Sequence, residues 1–260
     1  MKNQLIIKAF ALTAFFIFLT AFILPINNGY KDLPTEKFNK VSVALKSKVY
    51  ITQGQEYKLD IQANDETLKK IKVEFSSDEL SIECKLGCKI NELVIINITA
   101  PSLIAISIAG SANLFIEKSY ETKNLDLSIA GGGSMDMNNL LVERVSARVA
   151  GSGKLAMNDL AARKVSASIA GSGDIKLFGS KSGNYEDFSI AGSGNIDAAG
   201  FESEVVKVEI AGSGNCKVFA SEKLEASIAG SGDIQYKGSP EVEKETAGSG
   251  KIIKMDVDKE

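Results

Sequence analysis

The chain has 260 residues, with 30 Lys and Arg against 33 Asp and Glu and a net charge of −3. Charge this evenly balanced creates no field to gather nucleic acid, so no nucleic-acid partner is expected. Histidine and tryptophan are both absent. Their absence removes Ser-His-Asp and Cys-His catalysis, histidine-ligated zinc and the usual neutral-pH proton shuttle, and it weakens the case for an aromatic sugar-stacking platform.

At the N-terminus, Lys2 and Lys8 precede an uncharged, mostly apolar run over residues 9–24 that Pro25 closes. Residues 1–26 therefore read as an export segment, either a cleaved signal peptide or a retained membrane anchor. The basic flank places the rest of the chain across the membrane, in the periplasm or at the cell surface. No cysteine lies near the run, so a lipoprotein anchor is not expected. Residues 27–37 are polar, contain Pro34 and read as a tether.

From Phe38 onward apolar residues alternate with polar ones: Val41, Val43 and Leu45, then Val49 and Ile51, then Leu59 and Ile61. This is the period of half-buried strands. Residues 64–71 (NDETLKKI) form the one good short helical candidate, with Asn64 or Asp65 as N-cap. Alternation resumes through Ile71, Val73 and Phe75, through Leu80 and Ile82, and through residues 93–98. Cys84 and Cys88 are separated by Lys-Leu-Gly. In an exported chain that spacing suits a local disulfide as well as two reduced thiols, and it is not the CxxC spacing of a redox motif.

A refrain begins at residue 107. Its clearest copies are residues 168–175 (SIAGSGDI), 189–196 (SIAGSGNI) and 227–234 (SIAGSGDI). Looser copies occupy residues 107–114, 128–135, 148–155, 209–216 and 245–252. Their alanines are Ala109, Ala130, Ala150, Ala170, Ala191, Ala211, Ala229 and Ala247, at intervals of 21, 20, 20, 21, 20, 18 and 18 residues. Self-similarity at a fixed period marks a solenoid. Alternating residues lead into each refrain (Val165, Ala167, Ile169) and a second alternation leaves it (Ile175, Leu177). Each unit is thus strand, glycine corner, strand and polar turn. Identical sequence at identical phase calls for parallel, in-register stacking rather than a meander.

The expected fold is all-β: a right-handed parallel β-helix, a single-stranded β-solenoid with about 20 residues per turn. It spans residues 38–257, with N-terminal turns over 38–106 adding three or four coils and the glycine-serine repeat turns over 107–257. In the last copy Thr246 replaces isoleucine and Lys244 takes an inward phase, as a blunted end requires.

Stacked corners would align Asn113, Asp174, Asn195, Asn215 and Asp233 in one polar ladder, the candidate binding surface. Turn chemistry repeated by duplication accounts for the same residues. Calcium rolls need a nine-residue period, and Lys154 and Lys251 sit in ladder positions, so no metal is expected. Gly151-Ser152-Gly153-Lys154 lacks the Walker spacing because Arg148 stands where a glycine is required. Glu186 and Asp187 could be grouped with Asp174 as a sugar-cleaving acid cluster, but nothing marks them as one. No catalytic residue and no cofactor is expected. Cys216 holds the inward phase after its refrain and reads as a buried small hydrophobe.

Residues 38–43 (FNKVSV), 49–54 (VYITQG), 68–73 (LKKIKV), Leu80-Ser-Ile82 and 98–103 (ITAPSL), running into the glycine-serine refrains, resemble the bacterial GIN-domain family of autotransporter-adhesin heads. The resemblance covers residue 38 to about residue 252. It implies a right-handed β-helix of the cell envelope, and it brings no catalytic residues. The chain departs from the lipoprotein-anchored members in lacking the anchoring cysteine.

Together these features predict a non-catalytic envelope protein, an adhesin or binding scaffold whose repetitive polar surface meets a cell-surface glycan or protein. The alternative is a structural protein that self-associates into a homo-oligomer, and a polysaccharide-active enzyme is a third, weaker reading. Contact with the membrane would come through the N-terminal segment.

Overall fold

The computed structural model describes residues 29–32, 36–85, 88–181 and 183–255. The export segment, residues 1–26, lies outside them. In chain order the elements are β1 (Gly29–Asp32), β2 (Lys40–Ala44), β3 (Lys48–Gln53), β4 (Lys58–Ala63), α1 (Asp65–Leu68), β5 (Ile71–Ser76), β6 (Glu79–Cys84), β7 (Ile95–Ala100), β8 (Ala105–Gly110) and β9 (Asn113–Ile116). The repeat region follows as β10 (Tyr120–Gly131), β11 (Ser134–Gly151), β12 (Lys154–Gly171), β13 (Asp174–Lys181), β14 (Gly183–Gly192), β15 (Asn195–Gly212), β16 (Asn215–Gly230), β17 (Ile234–Lys237), β18 (Glu241–Gly248) and β19 (Ile252–Lys254). They form a parallel β-solenoid of about seven turns with roughly 20 residues each.

The refrain sets the register. Ala109 pairs with Ala130, and the series continues through Ala150, Ala170, Ala191, Ala211 and Ala229 to Ala247. One residue before these, Ile108, Ile129, Val149, Ile169, Ile190, Ile210 and Ile228 stack into a column that is at most 2% exposed. A second buried column runs through Leu114, Met135, Leu155, Ile175, Ile196, Cys216 and Ile234. Burying one such side chain stabilises by about 2 kcal/mol, so the repeated columns supply the fold's main driving force. Cys216 is free and fully buried, as its phase predicted.

The first and last glycines of the corners from Gly131 onward serve different needs. The first takes positive φ, for example +117° at Gly151 and +128° at Gly171, a region that disfavours side chains. The last is crowded: a Cβ on Gly153 would lie 2.9 Å from the Gly133 carbonyl oxygen of the turn below. In the units of β11 and β12 the polar turn is not a loop. β11 and β12 each run unbroken for 18 residues, bent at single left-handed residues, Asn139 (φ 51°) and Asp159 (φ 57°). Asn and Asp tolerate that conformation better than other non-glycine residues.

The N-terminal strands extend the stack, but not in sequence order and not as three or four simple coils. β2 lies between β6 and β8, and β3 lies between β7 and β9, all parallel. Beyond them the direction reverses. β5 pairs antiparallel with β6, and β4 with β7, which caps that end. Part of the expected tether is a strand: β1 pairs antiparallel with β4 and satisfies backbone groups that β4 would otherwise leave free. The predicted helix is present as α1, a single turn whose N-cap Asn64 accepts a hydrogen bond from the Thr67 N–H at 2.9 Å. At the opposite end, Lys244 continues the Ala226 column and Lys254 the Tyr236 column. Charged side chains at core-facing positions of a last turn discourage further strand pairing.

Candidate functional site

The five ladder residues are brought together as expected. Asn113, Ser134, Lys154, Asp174, Asn195 and Asn215 are successive partners in one column. Hydrogen bonds carry the column on: the Asp233 N–H donates to Asn215 Oδ1 at 3.1 Å, and the Lys251 N–H donates to Asp233 Oδ1 at 2.8 Å. Side chains are also linked from turn to turn. Ser134 Oγ donates to Asn113 Oδ1 at 2.7 Å, Asn195 Nδ2 to Asp174 Oδ1 at 3.1 Å, and Asn215 Nδ2 to Asn195 Oδ1 at 3.1 Å.

Each bond uses one donor and one lone pair. An amide or carboxylate oxygen retains a further lone pair, and each asparagine amide a second N–H. The ladder is therefore both a structural seam and an outward row of unspent donors and acceptors. Lys154 and Lys251 interleave positive charge with the carboxylates of Asp174 and Asp233 in the same column. A parallel column, two residues along each strand, alternates Lys176, Asp197 and Lys217. Asn158 extends the amide network, donating to Asp136 at 3.0 Å and to Asn138 at 3.1 Å.

On another flank Lys223 joins two turns, bonded to Glu225 at 2.7 Å and Glu243 at 3.1 Å. The hydrogen bond to Glu225, and after it the one to Glu243, holds the Lys223 ammonium above its ordinary range. Exposed pairs of this kind stabilise little.

The acid cluster does not assemble. Glu186 and Asp187 are adjacent on β14, and Glu186 is 0% exposed in the core while Asp187 faces outward. Among the described residues no group of three or more His, Cys, Asp or Glu side chains could hold a metal. Cys84 and Cys88 are joined as a disulfide with Cα atoms 5.9 Å apart.

Residue types alone did not point to a groove of about 880 Å³ at the second corners of three successive turns. Leu141, Val142, Ala161 and Ala162 give its apolar lining, and Glu121, Lys123, Glu143 and Arg163 its charged lining, with Lys123 4.0 Å from Glu143. Leu141 is 43% exposed there. Leu141 lies two residues after Asn139, whose backbone is left-handed (φ 51°).

Among the described residues no helix is long and apolar enough to cross a membrane. No curated protein matches the chain. Solved structures do. A protein from Parabacteroides distasonis described as a "putative lipid binding protein" is 25% identical with a TM-score of 0.82, covering 89% of this chain and 98% of its own. A "putative adhesin" from Bacteroides fragilis is 27% identical with a TM-score of 0.67, covering 88% and 97%. One from Parabacteroides merdae shares the fold at 22% identity and a TM-score of 0.81, covering 89% and 98%. These relatives are named for adhesion and lipid binding, not for catalysis. Residues 37–240, which hold the antiparallel β4–β7 and β5–β6 pairs and every refrain but the last, match the family described as "Putative auto-transporter adhesin, head GIN domain", and the chain belongs to that family.

Proposed function

We propose that this protein is a non-catalytic binding scaffold of the cell envelope, exported by its N-terminal segment, whose polar ladder meets a repetitive cell-surface partner, best a glycan. The observation that carries this reading is the in-register column from Asp174 to Lys251, bonded turn to turn. Stacked strands repeat at about 4.8 Å, so the column is a stiff ruler of polar groups. A chain of hydroxyl-bearing units could make many weak contacts along it, with avidity in place of one deep site.

The test is a glycan and cell-surface binding screen of the full chain beside the triple variant Asp174→Ala, Asn195→Ala, Asp233→Ala. Binding should fall at least tenfold while the variant stays folded. Unchanged binding would reject the ladder as the contact surface. Self-association, the alternative role, would appear as discrete oligomers in size-exclusion chromatography of the same sample.

The apolar lining of the groove favours a second reading, an amphiphile bound against Leu141 with its anionic head at Arg163. A fluorescent fatty-acid probe should then bind the wild type and be lost in Leu141→Asp.

A further inference from the structure

We propose that Glu186 is a pH-responsive break point: the coil closes around Glu186 as a neutral carboxylic acid, and removal of its proton opens the turn built from β13 and β14 and uncouples the two halves of the solenoid. Glu186 occupies a core column of Val145, Val165, Val206 and Leu224, between the two middle valines. It is 0% exposed, and neither carboxyl oxygen has a hydrogen-bond partner. A third orphan, the hydroxyl of fully buried Ser203 on β15, faces it without reaching hydrogen-bond geometry.

The surroundings offer a carboxylate no cation, and only the Ser203 hydroxyl acts in its favour. β12 contributes Val165, and β15 contributes Val206 and Ser203. β16 contributes the Cys216 thiol, on which the Glu186 carboxyl acts. Burial first, then Glu186 and Asp197, push that thiol up. No lysine or arginine is among the groups that act on Glu186. Burial likewise pushes the Glu186 carboxyl well above its ordinary value, the larger effect, with Ser203 opposing it. An uncompensated buried charge is expelled rather than tolerated.

The same turn carries register shifts on its β13 side, while the β14 pairings with β12 and β15 stay in register. Register shifts fall between Met157 and Ala161 on β12 and between Lys176 and Phe178 on β13, the two pairings that β13 makes with its neighbours. The pairings of β10 with β11 and of β11 with β12 show none. A solenoid turn is held only by its neighbours, so opening one divides the rod.

The direction of the effect follows from linkage. The folded state binds the Glu186 proton more tightly than the unfolded chain. Its contribution is complete below the unfolded carboxyl value of 4.5 and is lost as pH rises through the folded value. Over that interval the unfolding constant grows by up to tenfold per pH unit.

The experiment is denaturant unfolding of the full chain at a series of pH values from about 5 to 8, for wild type, Glu186→Gln and Glu186→Val, with amide exchange over residues 174–206 corrected for intrinsic rates. The wild type should lose stability with rising pH and exchange faster in that segment, while the two variants stay flat. An infrared carbonyl band of a protonated carboxyl should be present in the wild type at neutral pH. If that band is absent, or if wild type and a folded variant share one pH dependence, the proposal is overturned.

Discussion

Asn215 donates its side-chain amide to Oδ1 of Asn195, 3.1 Å away and one turn earlier in the coil. Asn195 passes the same bond on to Asp174. A position repeated for its turn chemistry thus becomes a seam between turns. Asn195→Ala removes both bonds at once. It should cost about 1 kcal/mol and lower the melting temperature by about 2–4 °C. Asn215→Ala made alongside it should be less than additive, because the two share a bond.

The corner glycines give a paired prediction. Gly151 has φ +117°, and a Cβ there would lie 2.7 Å from the Gly131 carbonyl oxygen. Gly110 has φ +81° with open space around it. Gly110→Ala should cost only the backbone strain, about 1 kcal/mol, whereas Gly151→Ala adds a collision with the turn below and should cost about 3 kcal/mol. Denaturant midpoints of the two variants check the difference.

Tyr120 is fully buried, and its hydroxyl accepts the Leu103 N–H at 2.7 Å. Tyr120→Phe leaves that N–H without its partner and should cost about 1–3 kcal/mol. Burial pushes the Tyr120 hydroxyl up to about 12, against a small opposing effect of the Leu103 bond. The folded state therefore holds this proton more tightly than the unfolded chain does. Its stabilising share is intact below pH 10 and is lost as pH rises toward about 12, readable as tyrosinate absorbance that appears together with unfolding.

Cys216 should resist thiol-specific reagents in the folded protein and react on unfolding, since it is fully buried and its thiol is pushed up by that burial. Thiol counting should find one reactive group in denatured, unreduced protein and three after reduction, given the Cys84–Cys88 bridge.

The repeat region was legible because period and phase are the same information as register. Once the alanines were aligned, the pairing from Ala109 to Ala247 followed. The N-terminal strands were legible as strands only. Alternation says which face is buried, not which strand lies alongside, so the insertion of β2 between β6 and β8 left no trace in the pattern. The ladder could be read from the corners, but its turn-to-turn hydrogen bonds could not, because they depend on rotamers. Glu186 stands two residues before Phe188 and four before Ile190, in the inward phase of its strand. Residue type groups it with Asp187 and Asp174 as acids; phase separates it from Asp187 and places it in the core.

The central claim is that the ladder binds by repetition. Its most direct test is affinity measured against ligand length, with the full chain and a graded series of oligosaccharides from a glycan that scores in the binding screen. Five ladder positions from Asp174 to Lys251 span about 19 Å at the strand spacing. Affinity should climb about 100-fold or more as the ligand grows from one position to that span, and the climb should flatten in the triple alanine variant. Affinity that does not change with length, or that climbs equally in the variant, would contradict the claim.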